Sequence, residues 1–171
     1  MFKIFFIEFT IDFKIFLDVE DLKKIINPVE VLFIEVNPES LPFFVEAFSD
    51  SEFPVNIRVA ESRDVGVEMI LQQGEFSSML RPDIIIFDIH ILHGGAWRVL
   101  EELEERTKSL SSDKGCIPVV FLIDEVDEKE VERYRNCPHL YISKPDSLVD
   151  YGLAVKFIED FWVKYNEKQE N

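Results

Sequence analysis

Short apolar runs, each bounded by turn-forming or charged residues, recur along the chain between residues 31 and 143. Runs of this length that are rich in β-branched and aromatic side chains are typical of strands buried on both faces of a parallel sheet. We therefore expect five strands, at residues 31–35, 54–60, 84–88, 117–123 and 140–143.

Segments with helical patterns lie between and after these runs. We expect a helix that Ser40 caps and that continues to Phe48, and one at 64–73 that Gly74 ends. Further helices are predicted at 97–108, 127–134 and 147–167. Strands that alternate with helices predict an α/β fold with a doubly wound parallel sheet. In the last helix we expect the apolar positions to belong mostly to the core, namely Leu153, Phe157, Phe161 and Trp162.

Residues 1–29 form a separate extension in this prediction. From residue 7 to residue 19 apolar and polar side chains alternate strictly, which predicts a strand or a hairpin, followed by a short helix at 21–26. Glu8, Asp12 and Lys14 interrupt the apolar start, and this excludes a signal peptide and a membrane span. We expect the extension to add an edge strand or a dimer contact.

Composition limits the function classes. With 171 residues, 47% of them apolar, the chain is most simply one domain with an extension. The 18 basic and 34 acidic residues give a net charge of −16, which would repel nucleic acid. Cys116 and Cys137 are too few for a disulfide framework, which favours a reduced, cytoplasmic setting.

Two of the apolar runs end in opposite charges. One run, Pro-Asp-Ile-Ile-Ile-Phe-Asp at 82–88, ends at Asp88, and the other, Tyr-Ile-Ser-Lys-Pro at 141–145, carries Lys144. Both charges would lie at the carboxyl ends of strands, where open α/β sheets build their sites. Such a pair is compatible with an ordinary ion pair as well as with a functional site.

Together with residues 31–38 and 117–122, these two runs resemble the receiver domain of bacterial and archaeal two-component response regulators. The resemblance covers about residues 31–167, so we expect a receiver-like domain at 30–168 and a tail at 169–171. It implies a CheY-like, flavodoxin-like sheet with strand order 2-1-3-4-5. Residues 148–162 are more narrowly similar to standalone receivers associated with cyanobacterial phytochromes.

The resemblance also implies a role for individual residues in phosphorelay signal transduction. Asp88 would accept a phosphoryl group from a histidine kinase, and Lys144 would pair with its charge. Glu35, Asp88 and the backbone carbonyl of His90 would hold Mg²⁺, a cation that prefers oxygen ligands. Tyr141 corresponds to the aromatic switch residue of the family.

Two departures from the family pattern leave two hypotheses about the function. Val36 replaces a second acid and offers no oxygen, so Mg²⁺ binding should be weak. Ile123 replaces the usual Thr or Ser hydroxyl, whose hydrogen bond to a charged group is worth about 1.5–3 kcal/mol. One hypothesis is therefore a working receiver, and the other is a degenerate receiver that acts only through protein contacts. Neither is an enzyme.

Other functions are compatible with single features. Asp88, His90 and His93 could form a transition-metal site. Asp88 and Glu35 could serve a metal-dependent hydrolase, although no Gly-rich phosphate loop accompanies them. Because no DNA-binding or catalytic domain follows, we expect output by protein contact. Trp162 and Tyr165 are the candidate surface for a homodimer or a downstream partner.

Overall fold

The computed structural model describes residues 28–34, 37–89, 117–124 and 138–169. In chain order its strands and α-helices are β1 (Val29–Ile34), α1 (Leu41–Ser49), β2 (Val55–Ala60), α2 (Arg63–Ile70), β3 (Ile84–Ile89), β4 (Val119–Ile123), β5 (His139–Ser143) and α3 (Leu148–Gln169). A 3₁₀ turn (Gly74–Phe76) separates α2 from β3. Residues 1–27 of the predicted extension, the predicted helices at 97–108 and 127–134, and both cysteines lie outside the described residues.

The five strands form one parallel sheet with the order β2-β1-β3-β4-β5. This confirms the predicted fold class and strand order. β1 and β3 are neighbours, with Ile34 paired to Phe87, and β4 lies between β3 and β5. The carboxyl ends of β3, β4 and β5 therefore meet at one edge of the sheet.

The apolar strands supply two cores, one on each face of the sheet. β1 is buried along its whole length, because its side chains alternate between α1 and α3 on one face and α2 on the other. Phe33 contacts Phe44 of α1 with ring centroids 5.2 Å apart, and Phe44 meets Tyr151 of α3 edge-on at 4.8 Å. These aromatic contacts attach the two helices to the sheet and to each other.

The buried face of α3 differs from the prediction. Leu153 and Phe157 are 50% and 56% exposed, so their assignment to the core is wrong. The residues that pack against the sheet are spaced by three or four positions, as the helical period requires. They are Tyr151, Ala154, Val155 and Ile158, with Phe161 and Trp162 partly buried beside them. Among the described residues, no helix has both the length and the apolar character needed to cross a bilayer.

The end of α2 also differs from the prediction. The helix stops at Ile70, and Gln72, not Gly74, takes the left-handed conformation that ends it, with φ of 53°. The Gln73 N–H donates to the Glu68 carbonyl at 2.9 Å, and the Gln72 N–H donates to the Met69 carbonyl at 3.2 Å, which is the Schellman arrangement. The Gln72 side chain also donates to the Met79 carbonyl. Gly74, with φ of 56°, instead begins the 3₁₀ turn.

The start of α1 lies where the sequence predicts it, but the predicted cap is wrong. Ser40 occupies the N-cap position in a helical conformation, and its side chain makes no capping hydrogen bond. The main-chain carbonyl of Asn37 accepts the N–H groups of Ser40 at 2.9 Å and Leu41 at 3.2 Å. The side-chain oxygen of Asn37 accepts the N–H of Glu39 at 3.0 Å. A turn built on Asn37 therefore starts the helix.

A second buried acid lies at the amino end of the sheet. Glu30 is 5% exposed, lies 2.7 Å from Arg58, and accepts hydrogen bonds from the Asn56 amide at 3.1 Å. The Glu30 N–H donates to Asp83 at 2.9 Å, and burial raises the pKa of Asp83. These partners satisfy the Glu30 carboxylate locally, at the opposite end of β1 from the strand ends that meet at Asp88.

Gly66 allows α2 to approach the sheet closely. A Cβ atom at this position would lie 2.8 Å from Cδ1 of Ile34, a side chain with no exposed surface. We expect Gly66→Ala to lower the free energy of unfolding by about 1 kcal/mol, because overpacking outweighs the gain in helix propensity. Urea unfolding of both proteins measures the difference.

Ile34→Val provides the matched background for this test, since it removes the clashing methyl group. The penalty of Gly66→Ala should shrink or reverse in Ile34→Val. An equal penalty in both backgrounds would show that contact with Ile34 does not restrict residue 66.

Candidate functional site

Asp88 is a buried acid near the carboxyl end of a central strand. It is the fifth residue of β3, beside Leu122 of β4, and is 4% exposed. The apolar residues before it bury the strand between the two cores, so the sheet carries the carboxylate into a protected position. A buried carboxylate requires charged or hydrogen-bonding partners.

Lys144 supplies the opposite charge from the end of β5. Its main-chain N–H donates to the Ile123 carbonyl at 2.9 Å, which holds the residue beside β4 just beyond its last ladder pair. Its Nζ lies 2.8 Å from Oδ1 of Asp88 and 2.9 Å from Oδ2 of Asp124. The structure thus brings Asp88 and Lys144 together as the sequence predicts, and it adds Asp124.

The surroundings of Lys144 favour its charged form. Burial of the ammonium lowers its pKa, but the contacts with Asp88 and Asp124 more than offset this, so the pKa of Lys144 is raised above its ordinary value. The positive charge is therefore held where three strands end.

Asn37 is a further contact of Asp88 that the sequence analysis did not assign to the site. Its main-chain N–H donates to Oδ2 of Asp88 at 3.2 Å. The Asn37-Pro38 pair is a turn signal, and the turn built on Asn37 aims this N–H at the acid. Because the donor is a main-chain group, the side-chain type alone does not reveal the contact.

The described residues provide part of a cation site. Oδ1 of Asp88 is shielded from solvent, and among the described residues it accepts no hydrogen bond of normal geometry, so beside its ion pair with Lys144 it keeps capacity for a cation. Carboxylate oxygen suits Mg²⁺ or Mn²⁺. Within the described ranges, no three His, Cys, Asp or Glu side chains are grouped closely enough to hold a metal ion. Glu35, His90 and His93 lie outside those ranges.

Comparison with known proteins identifies relatives of the same architecture. No model of a protein family matches the chain. The chain is 26% identical over 141 residues to response regulator Rcp1 of Synechocystis sp., spanning 80% of this chain and 90% of Rcp1. The phosphorylated cyanobacterial phytochrome response regulator RcpA superposes with a TM-score of 0.65 at 25% identity, covering 80% of this chain and 95% of RcpA. These relatives and the shared fold support a CheY-like receiver domain in this chain.

A third comparison supports the fold of this receiver domain. The Mn²⁺-bound form of Rcp1 superposes with a TM-score of 0.62 at 24% identity, covering 79% of this chain and 94% of Rcp1. In this chain the strand ends that meet at one edge of the sheet carry Asp88 and Lys144.

The predicted switch positions of the receiver domain lie on neighbouring strands. Ile123 is the last residue of β4, is buried, and pairs with Ser143 of β5. Tyr141 of β5 stacks on Phe121 of β4 with ring centroids 5.0 Å apart, and its hydroxyl oxygen is shielded from solvent. The aromatic ring is therefore turned inward, and the side chain at 123 carries no hydroxyl group.

Trp162 and Tyr165 lie in the C-terminal half of α3. Both are half-buried, and the Trp162 ring lies 5.1 Å from the ring of Phe53. Burial raises the pKa of Tyr165 above its ordinary value, and the charge of Arg81 offsets only part of this effect. Intramolecular contacts therefore occupy part of both side chains.

The raised pKa of Lys144 predicts how stability depends on pH in the metal-free protein. Because the folded-state pKa lies above the unfolded value, the contribution of Lys144 is complete below about pH 10.4 and is lost as the pH rises through the folded value. We expect the difference in unfolding free energy between the original protein and Lys144→Met to fall only above that pH.

Denaturant titrations at a series of pH values measure this difference, and Lys156→Met, at an exposed position of α3, is the matched control. A difference for Lys144→Met that stays constant across the alkaline range would contradict the assigned contacts.

Proposed function

We propose that this receiver domain is the phosphoacceptor of a two-component system, with Asp88 receiving the phosphoryl group from a histidine kinase. The observation that carries the proposal is the 2.8 Å contact between the Lys144 ammonium and the buried Asp88 carboxylate. Rcp1 and RcpA are named response regulators, and RcpA is described in its phosphorylated form, which supports the same chemistry here.

In the proposed reaction, a carboxylate oxygen of Asp88 forms a bond to phosphorus. The bond between phosphorus and the kinase histidine breaks, and its electron pair stays on the histidine nitrogen. The product is an aspartyl phosphate, in which the carboxylate charge has been replaced by the charges of the phosphoryl oxygens.

The residues around Asp88 would orient the acid and balance this change in charge. The Asn37 N–H holds Oδ2, which directs the carboxyl group within the site. Lys144 would neutralise charge at Oδ1 and would then contact an oxygen of the phosphoryl group as that group is transferred. Preorganised contacts of this kind act most strongly where water is excluded.

A divalent cation fits this proposal. Asp88, Glu35 and the backbone carbonyl of His90 would hold it, with Mg²⁺ as the candidate cofactor and weak affinity expected because Val36 offers no oxygen. When bound, the cation would neutralise charge on the transferring phosphoryl oxygens. Rcp1 is described in a Mn²⁺-bound form, which supports divalent cation binding here.

The first test is chemical phosphorylation with phosphoramidate and Mg²⁺, followed by intact mass measurement. The original protein should gain one phosphoryl group, and Asp88→Asn should gain none, because the amide is a poor nucleophile. Chelation of Mg²⁺ should reduce the yield.

Asp83→Asn is the matched control, since Asp83 precedes the same strand and makes its hydrogen bond with Glu30 at the other end of the sheet. Phosphate gain by Asp88→Asn equal to that of the original protein would refute Asp88 as the acceptor.

A degenerate receiver is the second candidate function, and Ile123 is the observation that favours it. This buried side chain ends the strand beside Asp88 and carries no hydroxyl to donate to a phosphoryl oxygen. The protein would then act through contacts with partners, without phosphorylation.

Ile123→Thr tests how much the missing hydroxyl matters. A restored hydrogen bond to a charged group should raise the phosphorylated fraction at a fixed phosphodonor concentration about tenfold. Ile123→Val, which shortens the side chain without adding a hydroxyl, is the control. Equal phosphorylated fractions in the two variants would show that this hydrogen bond does not limit the reaction.

The partners and setting of the protein are part of the same proposal. A histidine kinase would supply the phosphoryl group in the cytoplasm, and output would pass by protein contact. For a homodimer or a downstream partner, Trp162 and Tyr165 would offer the part of their surface that Phe53 and neighbouring residues leave exposed. The receiver-like domain would extend over residues 30–168, after the extension at 1–29.

A further inference from the structure

Asp124 is a third charged residue at the proposed phosphorylation site. It follows the last residue of β4, is half exposed, and lies with Oδ2 2.9 Å from Nζ of Lys144. The same ammonium lies 2.8 Å from Asp88. Lys144 is therefore shared between a buried carboxylate and an exposed one.

Sharing the ammonium has a chemical consequence if Asp88 becomes phosphorylated. An ammonium group has three N–H donors, and two of its close contacts here are with carboxylates. A phosphoryl group carries about two negative charges near neutral pH, so it would need the ammonium more than the carboxylate does. Asp124 would compete for Lys144 and would also repel the phosphoryl oxygens.

We propose that Asp124 limits phosphorylation of Asp88 by retaining Lys144 and by placing a fixed negative charge beside the incoming phosphoryl group. This inference rests on the proposed function of Asp88. Asp124 is a positioning residue, since it acts through Lys144. Its carboxylate would keep the unmodified site partly satisfied and would lower the rate at which anionic phosphodonors react.

The exposure of Asp124 separates this role from a purely structural one. Ion pairs with a solvent-exposed partner contribute little to stability. Removing the charge of Asp124 should therefore leave the thermal midpoint nearly unchanged, while it changes phosphorylation. A residue that only supported the fold would show the opposite behaviour.

Asp124→Asn tests the proposal because it removes the charge and keeps the size of the side chain. At fixed Mg²⁺, the rate constant for phosphate uptake from phosphoramidate should rise about threefold, as expected for release of a weak ion pair. Asp124→Glu restores the charge and should return the rate toward that of the original protein. Asp160→Asn removes the same charge from an exposed position of α3 and should have no effect.

A second measurement avoids hydrolysis of the acyl phosphate. Beryllium fluoride with Mg²⁺ mimics a phosphoryl group on a carboxylate, and ¹⁹F NMR can measure its binding. Asp124→Asn should bind it about threefold more tightly than the original protein, in line with the release of Lys144.

The outcomes distinguish this inference from the proposed function. If the original protein is phosphorylated on Asp88 and Asp124→Asn is no faster and binds beryllium fluoride no more tightly, the role of Asp124 is refuted and that of Asp88 stands. If neither protein gains phosphate nor binds beryllium fluoride, both proposals fail. If Asp124→Asn and Asp160→Asn both take up phosphate faster, and by the same factor, the effect is one of net charge and the inference is also refuted.

Discussion

The ion pair between Lys144 and Asp88 is the interaction on which the site depends. It connects a central strand to the segment after the edge strand β5, across the end of β4. Asp88 is almost completely buried, and a carboxylate in that position without a cation would be strongly unfavourable. The parallel sheet makes the contact possible because its strands end together at one edge. The parallel arrangement of the strands therefore both forms the sheet and brings Asp88 to Lys144.

The charge balance at this edge connects the functional proposals. Lys144 faces two carboxylates, and the buried Ile123 carries no hydroxyl group. Under the proposed function, both features would make a phosphoryl group on Asp88 less favourable. Tyr141, stacked on Phe121, lies on the strand that precedes Lys144. If Asp88 accepts a phosphoryl group as proposed, the phosphorylated population of the protein would be small.

The sequence predicts most of the sheet because the relevant signal is strong and local. Buried parallel strands need continuous apolar runs, and the run that precedes Asp88 and the one that precedes Lys144 mark two strand ends directly. The strand order came from resemblance, since periodicity does not determine which strands are neighbours. The contact between Asp88 and Lys144 follows once that order is assumed.

The end of α2, the buried face of α3 and the position of Asp124 depend on tertiary contacts that local sequence patterns do not predict. Gln72 ends α2 in a conformation usually given to glycine, while its side chain contacts the Met79 carbonyl. Leu153 fits a helical pattern yet faces outward, because packing against the sheet selects another face of α3. Asp124 belongs to an acidic stretch with no distinctive motif, and only the fold brings it to Lys144.

A double-mutant cycle tests the central interaction most directly. The unfolding free energies of the original protein, Asp88→Asn, Lys144→Met and the double variant should be measured in the absence of divalent cations. We predict a coupling energy of at least about 1 kcal/mol, because each single change removes the contact between Lys144 and the buried Asp88 carboxylate. Additive effects, within about 0.4 kcal/mol, would contradict the account.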